Sequence, residues 1–212
     1  MHIKWISMHV YNNVQGEQLV KAARNSIELF LINPHFEKEV VKRTLGEFEK
    51  PHGIFVTLEH YPTRELRGCI GFPRAVGPLG EVLVDAAIAA AFEDPRFVSV
   101  SKHELDDLLV EVSILSSLIP VTGDEKKRLS SIKVPGDGLM IQYGLYGGLL
   151  LPIVAVEQKW DKKKFLEETC RKAGLHSNYW SQPNVKLFKF ETQIFREDEP
   201  RGKVLEVKLD KD

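Results

Sequence analysis

The chain has 212 residues, with 29 Lys and Arg against 30 Asp and Glu, a formal net charge of -1, and 43% hydrophobic and 28% charged residues. This length suits one large domain or two small lobes that bury about 70% of the unfolded surface without a staple. The near-neutral balance argues against a protein built to hold phosphate backbones, although a local basic patch remains open.

Cys69 and Cys170 lack CxxC spacing, and no two of the seven histidines stand at helical i, i+4 spacing. The pattern therefore gives no ground for a disulfide framework, a metal site or a cofactor. Met1 to Ile6 lack the apolar core of a signal peptide, and no later run approaches the ~20 residues of a membrane span. The expected location is the reducing cytoplasm, away from the membrane.

Between Gln15 and Ile32, the apolar residues Leu19, Val20, Ala23, Ile27, Phe30 and Leu31 recur at helical spacing. They predict an amphipathic helix that covers a sheet and stops at Asn33-Pro34. A polar connection runs to Pro51. Gly53 then opens the β-rich run Ile54 to Leu58, His60 to Arg64 forms a loop, and Glu65 to Phe72 returns as an antiparallel partner.

That returning strand contains Leu66-Arg67-Gly68-Cys69-Ile70-Gly71-Phe72-Pro73. Strict alternation puts Leu66, Gly68, Ile70 and Phe72 on one face and Arg67, Cys69 and Gly71 on the other. The guanidinium and the thiol would then stand roughly 7 Å apart, with Gly71 leaving space for a ligand. A fixed positive charge there predicts a Cys69 pKa below its reference value of about 8.5. The structural alternative is a small buried thiol between glycines that mark bulges.

Pro73 to Pro78 is turn chemistry that leads into an alanine-rich helix from Gly80 to Phe92. Glu93-Asp94-Pro95-Arg96-Phe97 ends this helix and is a second candidate site, provided that Asp94 or Arg96 faces Cys69. Leu108 to Leu115 alternates Val110, Val112 and Ile114 against Glu111 and Ser113, which predicts a half-polar strand. If it lies beside the motif strand, Glu111 reaches Arg67; otherwise Glu111 faces solvent.

Pro120 to Pro135 holds Asp124-Glu125-Lys126-Lys127-Arg128, which reads as a solvated charge run. Leu139 to Tyr143 and Leu149 to Leu151 predict a second hairpin that turns near Tyr146-Gly147-Gly148. Asp161 caps a helix that carries Phe165, Leu166 and Cys170 inward and ends at Gly174. Asn178-Tyr179-Trp180 fits either a core or the rim of a cleft. Val185 to Phe195 reads as one strand, and Lys203 to Leu209 as a lysine-guarded edge strand.

The run from Leu66 to Phe72 resembles the signature of the AMMECR family, and three further stretches match in order. They are Ala90 to Phe97, Gly148-Leu149-Leu150-Leu151-Pro152, and Trp160 through Lys172-Ala173-Gly174-Leu175. The chain is most similar to archaeal members. Ile153 stands where the family commonly has Gln after the proline, a departure that puts any polar role at that position in doubt.

The resemblance implies a single unit over residues 1–212 with a larger and a smaller lobe. It brings no established biochemical activity with it. Family members are fused to, or encoded near, a Memo-type protein and a radical S-adenosylmethionine protein, which implies a step in a modification pathway.

These readings predict an α+β fold, mostly antiparallel sheet flanked by helices, with a cleft between two lobes. The leading functional expectation is an enzyme or accessory protein that uses Cys69 as nucleophile or redox thiol. Arg67 would assist it, Glu111 or Asp94 would orient that arginine, and Gly68, Gly71 and Arg96 would line the ligand. No His lies in a matched motif, and His60 and His176 are the only weak candidates for activating the thiol. The alternative is a non-catalytic module that binds a peptide, nucleotide or RNA.

Overall fold

The computed structural model describes residues 10–209. The stretch from Met1 to Ile6, His2 and His9 therefore lie outside the described residues. In chain order the first elements are α1 (Asn13–Ile32), α2 (Lys38–Thr44), β1 (Gly53–His60), β2 (Leu66–Phe72), α3 (Leu79–Phe92), α4 (Lys102–Leu105) and β3 (Leu108–Leu115). There follow β4 (Ile119–Val121), α5 (Glu125–Ser131), β5 (Gly138–Tyr143), β6 (Tyr146–Leu150), α6 (Pro152–Glu157) and α7 (Lys162–Lys172). A 3-10 turn (Tyr179–Ser181), β7 (Lys186–Phe190), β8 (Thr192–Glu197) and β9 (Val204–Val207) complete the chain. Helices with antiparallel sheet pairings give the expected α+β fold. The chain divides into two compact units, one made of residues 9–115 and 193–207 and the other centred on residues 116–192.

The first unit carries a five-stranded sheet in the order β2-β1-β3-β8-β9, so the motif strand β2 is an edge. Helix α1 begins two residues before Gln15, because Asn12 and Gln15 close a reciprocal capping box. Its buried stripe is Leu19, Val20, Ala23 and Ile27. Helix α2 lies inside the predicted polar connection; with Val41 as its one buried residue it is too short to show a period.

β1 and β2 form the predicted antiparallel hairpin. β3 is the half-polar strand expected in sequence, but it pairs with β1 and not with β2, and every one of its residues is buried, Glu111 and Ser113 included. Ile54, Val56 and Leu58 stand in register with Ile114, Val112 and Val110 as one fully buried apolar face. On the same side Gly68 sits against α3, where an added Cβ would lie 2.2 Å from the Ala90 carbonyl oxygen.

A buried ion pair ties α1 to the sheet. Arg24 Nε donates to Glu197 at 2.7 Å, its remaining nitrogens donate to Glu197 and to the Leu105 and Leu108 carbonyls, and Glu197 also accepts from the Val110 N–H. Both residues are at most 5% exposed. The polar groups of both partners are thus paired, which a buried charge requires.

The second unit has a four-stranded sheet in the order β4-β7-β5-β6. Ile132, Leu139, Ile141, Phe165, Leu166 and Leu187 pack with Cys170 and Trp180 in its core. Trp180 is therefore a core residue, and burial pushes the Cys170 thiol up to about 11. The predicted hairpin turns at Gly144-Leu145, two residues earlier than expected, with Gly144 at φ +58. The Val185 to Phe195 run splits at Glu191, whose backbone N–H and C=O bond to Ser116.

The charge run is not wholly solvated. Arg128 is 4% exposed and donates to the carbonyls of Gly123, Trp180, Gln182 and Val185. A guanidinium has enough donors to hold four carbonyls, and that capacity outweighs the tendency of its neighbours to stay in water.

Two measurements check this architecture. Arg24→Met leaves Glu197 buried without its cation and is expected to cost about 3 to 5 kcal/mol in urea unfolding, with much of the loss recovered in Arg24→Met/Glu197→Leu. Gly68→Ala is expected to cost about 1 to 3 kcal/mol, because the Ala90 carbonyl must move to admit the methyl group. Wild-type stability in Gly68→Ala would contradict the close approach of β2 and α3.

Candidate functional site

The edge position of β2 decides what surrounds Cys69. Leu58 pairs with Gly68 and Glu59 with Leu66, which leaves Arg67 as the extra residue of a β-bulge. The bulge breaks the alternation on which the sequence reading relied and takes Arg67 out of phase with Cys69. The Arg67 guanidinium goes to the Glu104 carboxylate, at 2.5 Å from Nε and 3.1 Å from Nη2, and Nη2 also donates to the Val98 carbonyl at 2.8 Å. It stacks over the Phe97 ring at 5.6 Å and is 5% exposed. Burial resists ionisation of Glu104, but Arg67 and the Ser101 N–H outweigh it and hold that carboxyl below its ordinary value. Arg67 is therefore a structural anchor with Glu104 as its partner, and Glu111 does not orient it.

The two motif glycines do not open a pocket. An added Cβ at Gly71 would lie 2.1 Å from the Ile54 carbonyl oxygen, and Gly68 abuts Ala90. Backbone fills the space that the sequence reading left for a ligand.

The second candidate segment does reach Cys69. Asp94 accepts from the Cys69 N–H at 2.9 Å, and also from Arg96 Nη2 at 2.6 Å, Arg96 Nε at 2.9 Å and the Arg96 N–H at 3.1 Å. The Arg96 guanidinium beside it holds the Asp94 carboxyl well below the usual carboxylate range, against burial. Arg96 Nη2 also donates to the Cys69 carbonyl at 3.4 Å. Both outward backbone groups of Cys69 are thus held by side chains from the loop after α3. The cation beside Cys69 is Arg96, not Arg67.

The sulfur itself belongs to a row that crosses three strands. Cys69 pairs with Thr57, and Thr57 with Glu111. The Thr57 hydroxyl donates to Cys69 Sγ at 3.3 Å. Glu111 is 5% exposed rather than solvated, accepts from Ser113 Oγ at 3.3 Å and pairs with Arg196 on β8 at 3.2 Å. Arg196 leads on to Glu59 at 3.7 Å and to a cavity of about 200 Å³ that Arg64 and Leu205 also line. Thr57 and Arg196 are site residues that the sequence reading missed. Thr57 is the one polar residue inside Ile54 to Leu58, a signal that becomes legible only with the hairpin register.

The thiol responds in the direction opposite to the one predicted. Burial pushes the Cys69 pKa up, and Glu111 and Asp94 push the same way; the Thr57 hydrogen bond and Arg96 offset them only in part. Cys69 is half-buried and protonated near neutral pH. Of the two histidine candidates, His60 ends β1 opposite Leu108, and His176 meets Asn178 at 2.9 Å. Among the described residues, no group of three or more His, Cys, Asp and Glu is placed to hold a metal ion, and no helix is long and apolar enough to cross a membrane.

The AMMECR1 family model matches residues 20–195. Protein MJ0810 of Methanocaldococcus jannaschii is 47% identical over 92% of this chain and 96% of its own, and Protein PH0010 of Pyrococcus horikoshii is 46% identical over 89% and 93%. The crystal structure of the uncharacterized protein PH0010 is similar at a TM-score of 0.87 with 44% identity, over 93% of this chain and 98% of that one. With the family model matching residues 20–195 and relatives 46 to 47% identical over about nine-tenths of its length, the chain belongs to the AMMECR1 family.

Proposed function

We propose that the chain is a ligand-binding protein whose site is the outer side of β2 at Cys69. There Arg96 receives an anionic group, a carboxylate or a phosphate, with Cys69 beside it as a protonated thiol. The observation that carries this reading is the anchoring of Arg96. Asp94 holds two of its side-chain nitrogens, yet the side chain is 45% exposed. A guanidinium fixed in advance loses little conformational freedom when an anion arrives. Asp94 and Arg67 are positioning residues here, the first holding Arg96 directly and the second holding the Val98 carbonyl in the same loop.

A second reading keeps Cys69 as a nucleophile in a modification pathway. What favours it is the row of Thr57 and Glu111, which sets a hydroxyl beside the thiol and a carboxylate one strand further along the same face. Against it, Glu111 is engaged by Arg196 and Ser113 and is a poor proton acceptor while those contacts last.

The pH dependence of alkylation separates the two. Iodoacetamide labelling of native Cys69 is expected to follow an apparent pKa above the ordinary thiol value of about 8.5, with Cys170 labelled only after unfolding. An apparent pKa clearly below that value would restore the nucleophile reading. The binding reading is tested by metabolite capture. Anionic compounds retained by the wild type and by Cys69→Ser are expected to be lost from Arg96→Gln, by about tenfold or more in affinity for a charge-assisted contact. Retention unchanged in Arg96→Gln would end the assignment of Arg96 as the contact group.

A further inference from the structure

Among the described residues, four strand edges bound the two sheets, and three of them carry a feature that blocks strand addition. On β2 the bulge at Arg67, the Asp94 and Arg96 side chains at Cys69, and Pro73 follow one another along the edge. β9 has four residues between Lys203 and Lys208, and β4 has three with Pro120 in the middle. β6 has none of these features. It reads Tyr146-Gly147-Gly148-Leu149-Leu150 at the end of its sheet.

The β5–β6 register pairs Tyr143 with Tyr146 across a two-residue loop, and Ile141 with Gly148. In such a hairpin the closing pair exchanges hydrogen bonds inward, so the N–H and C=O groups of Gly147 and Leu149 point away from the sheet. No backbone hydrogen bond from another described segment reaches either residue. Gly147 is exposed, Leu145 at the hairpin tip is fully exposed, and Tyr146 is 58% exposed.

We propose that the β6 edge is a docking site for an extended segment of a partner protein, apolar along one side and acidic at its ends, which adds as a fifth strand. Charge selects the acidic character. Between Ser116 and Thr192, twelve Lys and Arg stand against eight Asp and Glu. The last turn of α7, with exposed Lys172, rests on Gly148, where an added Cβ would lie 2.6 Å from the Ala173 nitrogen. The same contact disfavours a second copy. Two β6 strands paired antiparallel about Gly148 would bring two α7 termini and two Lys172 side chains to one place, whereas a bare segment carries neither the helix nor the charge.

The test uses the full chain and two blocked heptapeptides, Asp-Val-Thr-Val-Thr-Val-Asp and its lysine-ended counterpart, followed by amide NMR. The Gly147 and Leu149 amides are expected to shift and to exchange more slowly with the acidic peptide, which binds several-fold more tightly than the basic one at low salt. Gly147→Pro, which removes an outward donor, abolishes binding. Lys172→Glu, which leaves the strand intact, erases or reverses the preference. Unmoved Gly147 and Leu149 amides with both peptides, or protection already present in a dimeric free chain, would overturn the proposal.

Discussion

The carboxylate of Asp94 is the contact on which the region around the motif depends. An edge strand exposes a row of backbone donors and acceptors, and at Cys69 a side chain takes the place of the missing neighbour. Asp94 binds the Cys69 N–H and, through Arg96, also reaches the Cys69 carbonyl, so one carboxylate closes both outward valences of a single residue. Charge-assisted bonds of this kind are stronger than neutral ones, and a carboxylate held by several donors stays ionised well into acid. The loop after α3 is thereby fixed to β2, and Arg67 and Arg96 both lie over Phe97 in that loop, at 5.6 and 5.3 Å.

This arrangement sets the sign of the thiol's response. A cation beside a cysteine favours the thiolate only to the extent that its charge is uncompensated, and Asp94, at hydrogen-bond distance from Arg96, offsets part of that charge. What remains is burial, which favours the neutral form, together with the Glu111 carboxylate on the same face. Each pKa unit corresponds to about 1.4 kcal/mol, so a modest excess of desolvation over attraction is enough to keep the proton on sulfur. The arginine beside Cys69 in sequence is thus not the one beside it in space: Arg67 is held by Glu104, and burial pushes the Cys69 pKa up.

The limits of the sequence reading follow from the same geometry. Alternation and periodicity found the motif strand, its antiparallel partner, the long helices and the buried Cys170, because these depend on local period and on which face is apolar. They missed the bulge at Arg67, since an unpaired residue is defined by its partner strand and leaves no mark on its own sequence. They also suggested that Gly71 leaves room for a ligand, whereas the Ile54 backbone occupies that space. Asp94 and Arg96 were legible as candidates, but their seat on the Cys69 backbone is a tertiary contact across 25 residues. Arg128 was hidden for a similar reason, as its four carbonyl partners include residues more than 50 positions away.

Two neighbouring residues on β8 show how buried charge specifies the fold. Side chains at 196 and 197 project to opposite faces of the strand. Glu197 meets Arg24 from the helix side, and Arg196 meets Glu111 on the face that carries Cys69. A slip of β8 by one residue would exchange the two, setting Glu197 toward Glu111 and Arg196 toward Arg24. Each face would then hold a like-charged pair in place of an ion pair, and breaking even one buried pair costs about 3 to 5 kcal/mol. That penalty is a large fraction of the 5 to 15 kcal/mol by which domains are typically stable. The same slip would exchange the buried Ile194 and Phe195 between the faces, so the Arg196-Glu197 step acts together with the apolar pattern to pin the register, and with it the row that ends at Cys69.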